Sequence, residues 1–391
     1  MSLFGDDDII YDDDSPSGDD WFPDEEAIVP SEGLADPRHS TLFLAHEDKE
    51  RQFLDLYEKD SLPHAMIFSG LQGIGKTTMA FRLARFLLKH GAKDKDQGGL
   101  FGGEELAQEF SSLDVEADEP VFARVASGGH ADLLHIARYF DEAKGKLDKS
   151  LKVEALRKIE PFLRKTSSEG GWRIVIIEDA DTMNRSAQNA ILKILEEPPA
   201  NVLIMLIAHR PGMLIPTIRS RARVIPFSPL SPEIMKDLLS RQGISLSVND
   251  MAALADLSEG SIGQALKYAE EGGLEMLTKV LDYLDDAPNW NWENIHKLSG
   301  SLSTTAQDKD YRMFVDVMQW VFRKMLFLKS RGETGLPEYL ERKGTQMIFA
   351  AYSLEKLIDV CDGLKNHFAR VDYANLDRRD AVRSAFTMIN G

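Results

Sequence analysis

The chain has 391 residues, 43% of them hydrophobic, a formal net charge of −18 and one cysteine, Cys361. That length and apolar content allow two or three domains with cores of their own, while a single cysteine excludes an intramolecular disulfide and a four-cysteine zinc site. No apolar run is long enough to cross a bilayer, and the residues after Met1 offer neither a basic region nor an apolar stretch, so a cytoplasmic protein without a membrane anchor is expected.

Charge is distributed unevenly. Residues 1–37 hold thirteen acids, four prolines and no Lys or Arg, so the remainder carries only −5. A disordered leader is expected over 1–37, since so few aliphatic side chains cannot offset the entropy of ordering. A solvated, solubilising segment is the simpler account of it. A DNA-mimicking or partner-binding arm, using Phe4, Tyr11, Trp21 and Phe22, is the functional one. The rest of the chain is mildly acidic too, so any DNA contact is expected to be local or shared with partners.

In chain order, Glu47 to Tyr57 reads as a helix with Phe53, Leu54 and Tyr57 on one face. Ala65 to Phe68 is short and apolar, as a buried strand is, and Thr78 to Lys89 sets Met79, Leu83, Phe86 and Leu87 at helical spacing. Residues 91–129 are glycine-rich and acidic and read as a surface insertion. Ala131 to Ile136 is a short apolar segment. Val153 to Lys165 is predicted as one helix with Leu156, Ile159, Phe162 and Leu163 inward. Trp172 to Ile177 and Val202 to Ala208 are buried parallel strands, and Ser186 to Glu197 is a helix stopped by Pro198 and Pro199. Beyond Ser231 three short helices follow, at 232–242, 250–255 and 261–270. Helical patterns then run through 273–391, with loops near 285–292, 300–310 and 331–337. Alternating strands and helices followed by helices alone predict an α/β P-loop domain on a parallel sheet, a small helical lid and an all-helical C-terminal domain.

Between the first strand and its helix, Gly70 to Thr77 matches the phosphate-loop pattern G-x-x-x-x-G-K-S/T. Glycines at 70, 73 and 75 let successive backbone N–H groups, those of Ile74 and Thr78 among them, turn toward a polyphosphate. Lys76 then reaches the β and γ phosphates, and the Thr77 hydroxyl holds Mg²⁺. The N-terminus of the following helix adds positive potential. The plainer alternative, a glycine-rich turn with an exposed lysine, is disfavoured by the strand and helix that flank it. Such a loop needs an acidic strand end for the metal and the attacking water. Ile176, Ile177, Glu178 and Asp179 supply one, with Glu178 toward Mg²⁺ and Asp179 as a weak catalytic acid. A guanine-binding N-K-x-D sequence is absent, which weakens a GTPase reading.

Three blocks together carry a resemblance. Ile174–Asp181, Asn189–Pro199 (reading N-A-I-L-K-I-L-E-E-P-P) and Pro216–Arg223 (reading P-T-I-R-S-R-A-R) resemble the bacterial clamp-loader branch of the AAA+ ATPases in order and spacing. The likeness runs from about residue 40 to 270 and more loosely to 391. It implies a leader over 1–37, an AAA+ core over 38–228, a lid over 229–272 and an oligomerising collar over 273–391. It further implies ATP and Mg²⁺ as ligands and a hetero-pentameric ring with the tau/gamma and delta subunits of DNA polymerase III. Such a ring acts indirectly on the sliding clamp and primed DNA in replication. It makes Arg221 a finger acting in trans on the ATP of a neighbouring subunit.

The departures from the family are specific. Ala222 stands where the S-R-C motif has its cysteine. The four zinc-binding cysteines of some members have no counterpart in 91–129, so no zinc is expected. Gly263 occupies the place of a lid arginine that senses the γ-phosphate, His209 that of a small hydroxyl residue, and Glu178-Asp179 reverses the usual Asp-Glu order. Together they predict a ring member that binds ATP and hydrolyses it poorly or not at all. An autonomous helicase-like P-loop motor is the rival reading, and an inert ring member that binds no nucleotide is the third.

Overall fold

The computed structural model describes residues 36–41, 43–91, 110–141, 146–169, 171–303 and 308–390. The expectation of a disordered leader falls almost wholly outside them, as do residues 92–109 of the expected surface insertion. Two compact units are present, parting between Leu274 and Glu275.

The first unit is built on five parallel strands: β1 (Ala65–Ser69), β2 (Leu133–Ile136), β5 (Arg173–Ile177), β6 (Val202–Ala208) and β7 (Arg223–Pro226). Their spatial order is β2-β5-β6-β1-β7, and a separate antiparallel pair joins β3 (Phe140–Asp141) to β4 (Lys146–Leu147). The central strands are buried at every position because helices cover both faces, and successive side chains alternate between them. Met66, Phe68, Ile174, Ile176, Leu203 and Met205 face one core, with Phe53, Leu83 and Phe86 from the helices Glu47–Glu58 and Lys76–His90. Ala65, Ile67, Val175, Ile177, Ile204 and Leu206 face the other, against Ile191, Ile194 and Leu195 of the helix Arg185–Glu196.

Three local expectations change. The helix predicted over 153–165 is two pieces, Val153–Leu156 and Ile159–Leu163. Pro161 explains the break: it has no N–H, and in a continuous helix its ring would collide with the carbonyl of Arg157. Leu156, Ile159 and Leu163 are buried as expected, but Phe162 is only partly so, with the Arg173 guanidinium 4.2 Å from its ring centroid. Within the segment read as surface, the helix Pro120–Ala126 and Leu113 contribute to the core through Leu113, Val121 and Val125. Strand β7 escaped prediction because only Ile225 of its four residues is buried; it lies at the sheet edge, where Pro226 is tolerated.

Three short helices, Pro232–Arg241, Val248–Leu257 and Ile262–Glu270, follow the sheet, and Ser231, Ser247 and Ser261 cap them by accepting from the backbone three residues on. They share a small core of Met235, Leu239, Leu254, Ala265 and Leu266. The second unit is helical: Gly273–Leu284, Trp292–Ser301, Asp308–Ser330, Lys343–Ala351, Leu354–Ala374 and Arg378–Asn390. Phe314, Val317, Phe322, Leu364, Phe368 and Phe386 are fully buried in it. Cys361 is half-buried, and that burial pushes its thiol up to about 11. Among the described residues no helix is long and apolar enough to cross a membrane.

Candidate functional site: the phosphate loop and its neighbours

Strand order builds the site. β5, β6 and β1 are adjacent and parallel, so their C-terminal ends deliver the acidic turn 178–181, His209 and the loop 70–75 to one edge of the sheet, where open α/β sheets bind ligands. Gly70, Gly73 and Gly75 all have positive φ (145°, 74° and 96°), which only glycine adopts without strain. Ile74 is buried, and its carbonyl accepts from His46 Nε2 at 2.9 Å. Lys76 opens the helix Lys76–His90, followed by the half-buried Thr77 and Thr78.

Lys76 is only 3% exposed. Its ammonium donates to the carbonyls of Gly70, at 2.7 Å, and Leu71, and meets His209 Nδ1 at 3.0 Å. Burial pulls its pKa down to about 8, against the opposing pull of Asp181 and Asp179.

The acids are already engaged. Asp179, in a left-handed turn, takes His209 Nε2 on one oxygen at 2.7 Å and Arg138 Nε on the other at 2.8 Å. Burial alone would raise its carboxyl; the His209 hydrogen bond and the Arg138 charge outweigh that and hold it below the ordinary range. Glu178 faces His135 Nε2 at 2.9 Å. Asp181 accepts the backbone N–H groups of His209 and Arg210, each at 3.0 Å, and so pins the chain leaving β6. The glycines and the buried lysine therefore suit a phosphate. The carboxylates suit activation of water poorly, because the contacts with His209 and Arg138 hold Asp179 as a carboxylate of lowered basicity.

Arg221 is not part of this cluster. It follows the helix Pro216–Arg219, donates to Thr217 O at 3.0 Å, and pairs with Glu196 at 2.8 Å, its side chain 35% exposed. Arg219 and Arg223 are exposed.

Sequence reasoning missed His135, Arg138 and Glu196. Each pairs with a residue 25 to 43 positions away. The His135 pairing needs the β2–β5 register, which places His135 beside Ile176, and nothing local announces it. Glu196 lies inside the recognised E-E-P-P block and could have been considered for Arg221 on charge alone. Among the described residues no cluster of three or more His, Cys, Asp or Glu could hold a metal ion by itself.

Comparison with known proteins agrees with this architecture. The family model described as "DNA polymerase III, delta subunit" matches residues 45–231. The chain is 28% identical over 289 residues to the DNA polymerase III subunit delta' of Bacillus subtilis, which covers 71% of this chain and 76% of that relative. It is 28% identical to the Escherichia coli subunit delta', covering 59% of this chain and 62% of the relative. With the Pseudomonas aeruginosa subunit delta' it is 31% identical, over 40% of this chain and 41% of the relative. The residues that the family model matches include the phosphate loop, the acidic turn and Arg221, and this chain resembles the delta-prime subunits of DNA polymerase III.

Proposed function

We propose that this chain is a ring member of a clamp loader that holds ATP, does not turn it over, and supplies Arg221 to the ATP site of a neighbour. One observation carries the reading: an intact phosphate loop stands beside an Asp179 whose two oxygens are taken by His209 and Arg138. ATP would be held by the backbone of Gly70, Gly73, Ile74 and Gly75 with Lys76, Thr77 and Thr78, and Mg²⁺ by Thr77 and Glu178. Bound Mg²⁺ supplies charge neutralisation between the β and γ phosphates. In this reading residues 38–228 form the nucleotide-binding core, 229–272 the lid and 273–391 the collar that meets tau/gamma and delta subunits. The half-exposed Arg221, outside the chain's own phosphate cluster, is consistent with action in trans.

The test is reconstitution. The isolated chain should show turnover far below the ~1 s⁻¹ low end of ordinary enzymes, unaffected by DNA. Gel filtration with a tau/gamma partner should give a complex whose ATPase exceeds that of either part. DNA-stimulated ATPase in the isolated chain would establish the motor reading instead.

Nucleotide binding should depend on pH in a defined direction. Phosphate favours protonated Lys76, and burial has lowered that group to about 8 in the free protein. Affinity for MgATP is therefore full below pH 8 and falls as pH rises through it, approaching tenfold per unit. Lys76→Ala should abolish the heat of binding at every pH. Affinity that stays level from pH 7 to 9.5 would remove Lys76 from the phosphate contact.

A further inference from the structure

We propose that the lid latches the phosphate loop, so that nucleotide enters only when the N-terminus of the helix Ile262–Glu270 lifts from Gly73. The proposal rests on the loop being a nucleotide site, as above. Its basis is a set of contacts around Gly73 and Lys76. Gly263 N–H donates to Gly73 O at 3.1 Å, a direct backbone bond from lid to loop. The approach is close: a Cβ on Gly73 would lie 2.5 Å from Ser261 Oγ and 3.0 Å from Gly263 Cα. Gly263 therefore does more than lack a charge. Its backbone N–H and Cα lie against Gly73, so the lid sits down on the loop there.

Two more contacts occupy the loop. Phe43 Cε2 is 3.5 Å from where a Cβ of Gly75 would stand. Lys76 has three N–H donors, and three acceptors of this chain already take them: Gly70 O, Leu71 O and His209 Nδ1.

A triphosphate has to recruit Lys76 from those acceptors and reach the backbone around Gly73, which the lid covers. Binding is then coupled to lid opening, and apparent affinity falls by the fraction of molecules that are open. Such a latch makes the loop a joint between core and lid whose release is the step that admits nucleotide.

The experiment compares MgATP affinity of the full chain with that of Gly263→Pro, by calorimetry. Proline at the second residue of a helix is tolerated, because the first-turn N–H groups have no intrahelical partner. It removes the N–H that reaches Gly73 O and adds a ring where the lid sits closest. Affinity should rise at least tenfold. In parallel, amide exchange of wild-type Gly263 is followed with and without saturating MgATP, and this readout decides the matter if the variant does not fold. Protection at Gly263 should be present without nucleotide and lost with it. Equal affinities of variant and wild type, or protection unchanged by MgATP, overturn the latch and leave the nucleotide site standing. No binding by either protein at millimolar MgATP overturns the nucleotide site and the latch together.

Discussion

Arg221→Ala should leave this protein folded and assembled while depressing ATPase and clamp-loading rates of the reconstituted ring. The two halves of that expectation have separate grounds. Its Glu196 partner is about half exposed and Arg221 itself 35% exposed, and surface pairs of this kind contribute only ~0–1 kcal/mol. Its removal should therefore leave stability and this chain's own nucleotide binding intact. Against a neighbour's γ-phosphate, as proposed, the same guanidinium would stabilise charge that develops only as the phosphoryl group departs, an effect of about 10³–10⁵ in GTPase systems. The loss here should be smaller, since other sites in the ring keep their own arginines. Arg221→Lys should not restore the rate fully, because lysine keeps the charge and loses the planar fork. Wild-type loading rates from rings carrying Arg221→Ala would make it a surface charge and nothing more.

The largest effect on stability should come from Asp132, just before β2 and 1% exposed. It accepts from Ser167 Oγ at 2.9 Å, from Ser168 Oγ at 2.6 Å and from the Ser168 N–H, and it pairs with Arg173 at 3.0 Å. Burial alone would raise its carboxyl; the two serines and Arg173 outweigh that and hold it low. Asp132→Ala strands the buried Arg173 guanidinium, a change that costs about 3–5 kcal/mol when a buried pair is broken from one side. Asp132→Ala combined with Arg173→Met should cost less than Asp132→Ala alone, since no charge is then left unpaired. The readout is amide exchange in β2 and β5. The sign with pH follows from the lowered carboxyl. Its contribution is complete above the unfolded value of about 3.9 and is lost as pH falls through the lower folded one. Unchanged protection in Asp132→Ala would show that the pair adds nothing.

Much of the fold was legible because its signals are local. Ala65–Phe68, Ile174–Ile177 and Val202–Ala208 are apolar at every position, which only strands covered on both faces require. The phosphate loop was readable because the positive φ at Gly70, Gly73 and Gly75 demands glycine at those places. The break at Pro161 was equally local and was passed over in favour of the apolar spacing around it. β7 had almost no signal, since an edge strand with one buried residue shows no period.

The sequence by itself determined which groups the proposed phosphate site can draw on: a lysine at the head of a helix, a threonine beside it, two acids at a strand end and an arginine after the last buried strand. Only the tertiary structure decided what those groups are free to do. The order β2-β5-β6-β1 carries His135, Arg138 and His209 to the acids and to Lys76 across at least 30 residues of chain, and the lid's return sets Gly263 on Gly73. Hydrogen bonds and charges act over a few ångströms of space, so the partner that commits Asp179 or holds Lys76 is set by which strands lie side by side, a choice that no stretch of neighbouring residues records.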